Sequence, residues 1–104
     1  MSRVAEFVYL LEPTRPEMPE QPTDNEQAVV REHFDHLTRL LEDGRLILAG
    51  RTLTKGSVLG IVVFEAESEE AAEEIMAKDP AVARGVMRAT LHPYRIALAR
   101  GRVR

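Results

Sequence analysis

Cysteine is missing altogether from this 104-residue chain, which excludes disulfides, thiolate metal sites and a cysteine nucleophile. A zero count is also what a reducing cytosol permits. Long apolar runs are missing too, and none approaches the roughly 20 residues of a membrane span. The run near the start, Phe7 to Leu11, is five residues long and is followed by Glu12. That is too short for a secretory h-region, so no signal peptide is read. There is no HExxH motif and no Gly-rich phosphate loop, Gly56 and Gly60 reading as turn and strand glycines. Ser57 and Ser68 read as a turn residue and a helix cap, without a nucleophile elbow around either. Positive charge is not in excess: the formal net charge of -3 argues against a general phosphate-binding surface. The expectation is a soluble, cytoplasmic protein of one domain, residues 1–104, able to bury about two-thirds of its unfolded surface without staples.

What charge asymmetry exists lies at the end. Arg95, Arg100, Arg102 and Arg104 follow one another without an acid, forming a basic tail over residues 100–104. No aromatic residue interleaves with them beyond Tyr94, so a solvated fringe is expected rather than a nucleic-acid arm.

The rest of the chain is patterned. Val4 to Leu11 is apolar on both faces apart from Glu6, which suits a central strand. Pro13, Pro16, Pro19 and Pro22 then mark a loop over residues 13–22 that can be neither helix nor strand. Thr23 and Glu26 have capping-box spacing and open a helix that runs to about Asp43 and stops at Gly44. Its expected apolar stripe is Val30, Phe34, Leu37 and Leu41, with Val29, His33 and Leu40 alongside. Residues 45–54 and 58–66 read as a hairpin turned at Lys55-Gly56-Ser57. Ser68 caps a second helix with Glu69 and Glu70 in its first turn, and Ala71, Ala72, Ile75 and Met76 as its buried face. A last strand is expected over about 86–99, with Pro93 placing it at an edge or bulge.

The order β-α-β-β-α-β is the ferredoxin-like α+β arrangement: an antiparallel sheet with both helices on one face and strands one and three central. Two helices cover one face of a sheet, yet Val8, Leu10, Ile47, Leu48, Ile61 and Val63 supply apolar groups to both. A second copy packing sheet to sheet, as a two-fold homodimer with a barrel-like interior, is therefore expected.

Chemistry rests on few residues. His33 reads locally either as a core histidine bonded to backbone or as a general base tuned by a carboxylate. Asp79 precedes Pro80 and reads as an N-cap, with Gly85 closing the short turn, or as that carboxylate. The two roles are compatible, because one oxygen can cap while the other orients a histidine. A metal site built on His33, His36 and His92 is the competing constellation, and His-x-x-His alone is a weak signal for it. His36 is expected to face solvent.

The segment HFDHLTRLLEDGRLILAG (33–50), DPAVARGV from Asp79 and the step Leu91-His92-Pro93-Tyr94 together resemble the YCII-related (YciI-like) family. That resemblance implies a dimeric α/β barrel. It also implies a pocket in each subunit where the helix histidine meets the aspartate of the Asp-Pro step, here His33 and Asp79, as a catalytic pair. A related dehydrochlorinase suggests small cyclic or aromatic substrates, with lyase or isomerase chemistry and no cofactor. Arg51 and His92 are the ligand-binding candidates, a solvated loop arginine being the other reading of Arg51. The chain departs from the family pattern at Val30, Arg51 and Ala81 and in its long Pro-rich loop. A non-catalytic ligand-binding or interaction module is the alternative to an enzyme. Neither nucleic acid nor membrane is expected as a partner.

Overall fold

Phe7, Tyr9 and Leu11 alternate with Val8 and Leu10, and a strand's period of two sends these sets to opposite faces. In the computed structural model, which describes residues 4–101, this strand (β1, Ala5–Pro13) lies inside a four-stranded antiparallel sheet. The other strands are β2 (Leu46–Arg51), β3 (Gly60–Ala66) and β4 (Met87–Tyr94), in the spatial order β2-β3-β1-β4. The helices are α1 (Asp24–Glu42), α2 (Glu69–Lys78) and the single turn α3 (Pro80–Ala83). The ferredoxin-like order, with strands one and three central, is therefore present.

Register explains the layering. Phe7 pairs with Phe64 and Tyr9 with Val62, so their side chains share one face. That face packs on Leu37 and Leu40 of α1 and Ala72 of α2. Tyr9 and Phe64 meet edge to face at 5.6 Å and 73°, and both are fully buried. Burying each such ring contributes about 2–3 kcal/mol. A second, smaller cluster joins Met18 of the Pro-rich loop to Val29, Ala81 and Val86. The loop thus packs on the helical side through Met18. On the opposite sheet face, Val8 and Val63 pair across β1 and β3 and are buried, yet belong to neither helix-side cluster. Leu48, in register with Val63, remains 53 % exposed.

The ends of α1 follow its sequence. Thr23 accepts from the Glu26 amide while the Glu26 carboxylate accepts from the Thr23 amide. Gly44 takes a φ of 77°, the left-handed conformation that closes helices. Arg15 grips Glu26 from the loop with Nε at 3.0 Å and Nη2 at 2.8 Å. These bonds, led by that of Arg15, hold the Glu26 carboxyl down at about 2. A latch thereby joins the 13–22 segment to the helix.

Three expectations need correction. The buried line of α1 is Glu26, Val29, Leu37 and Leu40, whereas Phe34 is 69 % and Leu41 58 % exposed. His33 must face the sheet to reach its partner, and residues 34 and 41 lie about 100° further round. The last strand ends at Tyr94 rather than near residue 99, because Tyr94 pairs with Glu6 and β1 begins one residue earlier. The ladder runs out, and the Ile96 amide donates instead to the Glu6 carboxylate at 2.8 Å. β2 stops at Arg51 instead of Thr54, with a register irregularity between Leu46 and Leu48. The edge position expected from Pro93 is observed. Among the described residues no helix is long and apolar enough to cross a membrane. Arg102 and Arg104 of the basic tail lie outside the described residues.

Candidate active site

Three elements converge on one carboxylate. Asp79 ends α2 and caps α3, its Oδ1 accepting from the Ala81 amide at 3.0 Å, with Pro80 at the first helical position. His33 projects inward from α1 and places Nδ1 at 2.7 Å from Oδ1 and 2.8 Å from Oδ2. Tyr9, from the centre of the sheet, donates its hydroxyl to Oδ2 at 2.7 Å. Asp79 and Tyr9 are fully buried. The carboxylate thus caps a helix and pairs with the histidine at the same time, the two roles that the Asp-Pro step left open.

The electrostatics follow from that geometry. Burial alone would push the Asp79 carboxyl up, but His33, the Tyr9 hydroxyl and the Ala81 amide together hold it below its ordinary range. Burial, then the negative charge of Asp79, pushes the Tyr9 phenol far above its usual value, so it stays a donor. Only ionised Asp79 accepts from all three neighbours at once. It therefore fixes the histidine as a donor at Nδ1 and leaves Nε2 as the nitrogen free for chemistry.

His33 also lines a cavity of about 590 Å³, within the range of small-molecule sites. The cavity lies between α1, the Pro-rich loop and the ends of β1, β2 and β3. Its walls include Leu11, Met18, Phe34, Leu37, Arg51 and Val62. Asp79 is not among the lining residues: it sits behind the imidazole, where a bound molecule would not touch it.

Of the four sequence candidates, His33 and Asp79 are in direct contact and Arg51 reaches the same cavity. His92 does not. It pairs with Val8 on β4 and so projects from the sheet face opposite the helices, which separates it from His33 within this subunit. His36, expected in solvent, is instead half-buried against the core, its Nε2 shielded and without a hydrogen-bond partner among the described residues. Burial first, then Arg39 and His33, lowers its pKa, with Asp79 and the Ile75 carbonyl opposing. No group of three His, Cys, Asp or Glu side chains that could hold a metal ion occurs among the described residues.

Tyr9 is the residue that sequence reading missed. Its position in an apolar strand marks it as core, and nothing local signals its long-range bond to a residue 70 positions away. Tyr9→Phe should cost about 1.5–3 kcal/mol of stability at neutral pH, the weight of one hydrogen bond to a charged buried group. Urea unfolding measures this, and a change below about half a kcal/mol would mean the hydroxyl does not support the carboxylate.

Comparison with known proteins agrees with the fold. Residues 7–91 match the model of the YCII-related domain. Among solved structures, 5-chloro-2-hydroxyhydroquinone dehydrochlorinase from Burkholderia phenoliruptrix, in complex with 2,5-dihydroxybenzoquinone, superposes with a TM-score of 0.57 at 17% identity, covering 86% of this chain and 93% of its own. An uncharacterised protein from Thermotoga maritima superposes with a TM-score of 0.52 at 9% identity, covering 91% of this chain and 100% of its own. No curated protein matches the sequence.

Proposed function

This chain belongs to the YCII-related family, and from that premise we propose that it is a small homodimeric enzyme that uses His33 and Asp79 for cofactor-independent acid–base chemistry on a cyclic or aromatic metabolite. The observation that carries the reading is the 2.7 Å contact of His33 Nδ1 with a fully buried Asp79, on the wall of a cavity of about 590 Å³. A purely structural pair would not need such a cavity in front of it.

In the reaction, His33 Nε2 takes a proton from a carbon next to a carbonyl group. The C–H bonding pair moves into the carbonyl as an enolate, and the imidazolium that forms is stabilised by the Asp79 carboxylate behind it. In an elimination, the carbonyl re-forms as the enolate electrons make the new C=C bond and expel a leaving group with its bonding pair, such as chloride, and the imidazolium then gives its proton to water. In an isomerisation, the imidazolium returns the proton to a different carbon. Either course balances without an oxidant or reductant. The dehydrochlorinase that shares the fold acts on an aromatic hydroquinone, which supports the substrate class.

Assembly is part of the proposal. Val8, Leu10, Ile61 and Val63 occupy the sheet face that no helix packs on, and a second copy is the natural cover. The runner-up is a ligand-binding module with the same cavity and no turnover. Small lactones, haloaromatics and enolisable acids screened against the wild type and His33→Ala separate the two. Turnover by the wild type alone is expected. Equal turnover by both proteins would remove His33 from the chemistry, and binding without turnover by either would favour the module.

A further inference from the structure

The cavity is charged differently from the rest of the protein. The chain carries 17 acids against 14 lysines and arginines. The cavity wall, however, holds Arg31, Arg51 and His33 and not one Asp or Glu. Neighbouring surface hollows do not share this bias: one beyond the Pro-rich loop sets Glu12, Glu17 and Glu20 against Arg88. Neither Arg31 nor Arg51 makes an ion pair among the described residues, although Arg15 and Arg84 both do. Arg31 stands at the rim, with Glu32 and Asp35 beside it in an adjoining hollow, so its charge is partly answered. Among the described residues of this cavity, the arginine with no acid beside it is Arg51.

Its placement is built into the sheet. Arg51 pairs with Gly60 on β3, and Gly60 pairs with Leu11 on β1, so the three share one row of the cavity face. A Cβ at Gly60 would come within 3.2 Å of the Leu11 Cβ. With none there, the Leu11 side chain packs directly over the Gly60 backbone, and the row beyond it ends in the Arg51 side chain at the cavity. Phe34 lines the same cavity, its phenyl ring 69 % exposed among mostly aliphatic neighbours. An aromatic side chain left uncovered at a cavity wall is a surface for another ring.

Building on the cavity assigned above, we propose that its ligand is a planar ring carrying a carboxylate, with the ring against Phe34 and the carboxylate on the Arg51 guanidinium. A guanidinium matches a carboxylate with two parallel N–H donors, and an anion entering this site meets no competing acid. The same cation would favour an enolate forming beside His33.

Equilibrium titration tests this without any need for turnover. The probes are benzoate, salicylate, 2,5-dihydroxybenzoate and 4-hydroxyphenylacetate, each against its neutral amide, at physiological ionic strength. At least one carboxylate should bind about tenfold tighter than its amide, the discrimination of one charge-assisted pair at a half-open site. Arg51→Met, which keeps the length of an exposed side chain, should abolish that preference. Phe34→Leu should weaken acid and amide alike. The proposal is overturned if all four carboxylates fail to bind at millimolar concentration, if amides bind as well as acids, or if Arg51→Met keeps the preference. Its failure is separate from failure of the acid–base reading: His33→Ala should still bind the carboxylate, and loss of turnover in that variant says nothing of the charge preference.

Discussion

Asp79→Asn should lower turnover on the order of 10³-fold while leaving KM within about twofold. The asparagine can still cap α3, since its oxygen can accept from the Ala81 amide in place of Oδ1. That choice turns the NH₂ group toward the Oδ2 position, which accepts from the Tyr9 hydroxyl and lies 2.8 Å from His33 Nδ1. The oxygen at the Oδ1 position can still accept from Nδ1, but the NH₂ group now opposes the Tyr9 hydroxyl and crowds Nδ1, and the imidazolium that forms in the reaction loses its anion. Asp79 does not line the cavity, so substrate affinity should be spared. Urea unfolding of the variant separates a positioning role from a damaged fold, because loss of folded enzyme would also lower kcat without moving KM. A kcat unchanged in Asp79→Asn would remove the pair from the mechanism. The same variant carries a pH signature. A carboxylate whose folded pKa is depressed contributes stability above its ordinary value, here 3.8, and loses it as pH falls through the folded value. Chemical denaturation at pH 6 and pH 3 should therefore show a steeper acid-side loss in the wild type than in Asp79→Asn.

Much of this architecture is legible because its signals are local. The capping box at Thr23 and Glu26, the glycine after α1, Ser68, and the Asp-Pro step each specify backbone within a few residues, and each appears where expected. The rotation of α1 was not legible. Phe34 and Leu41 are as apolar as Leu37 and Leu40, and only the bond from His33 to a residue 46 positions away decides which face turns inward. Tyr9 was hidden for the same reason, its hydroxyl being used only once the sheet has brought it to Asp79. His92 shows the converse. Its residue type suggests a partner for His33, and the parity of β4 puts the sheet between them. Local chemistry thus specified caps and turns, whereas the polar cluster depends on bonds between elements far apart in the chain.

The sheet face opposite the helices yields the other large effect. The protein should sediment at micromolar concentration as twice 11.7 kDa, and Leu48→Arg should shift it to the single chain. Leu48 is the informative position because it is 53 % exposed in the subunit, so a charge there costs the isolated fold little. Its register with Val63 places it on the face proposed to meet the second copy. Burying an unpaired guanidinium there, in place of an apolar leucine side chain, costs about 2 kcal/mol or more. Two-fold symmetry repeats the change in the same interface, so the sum of about 4 kcal/mol weakens association roughly 10³-fold. Val63 itself would be a poorer choice: at 5 % exposure a charge there would destabilise the subunit and confuse unfolding with dissociation. Unchanged sedimentation of a folded Leu48→Arg would exclude this face as the interface, and a wild type that ran as a monomer would exclude the dimer. Since the cavity is formed within one subunit by α1, the Pro-rich loop and three strands, a monomeric Leu48→Arg that still binds the aromatic carboxylates would show that assembly covers the sheet without completing the site.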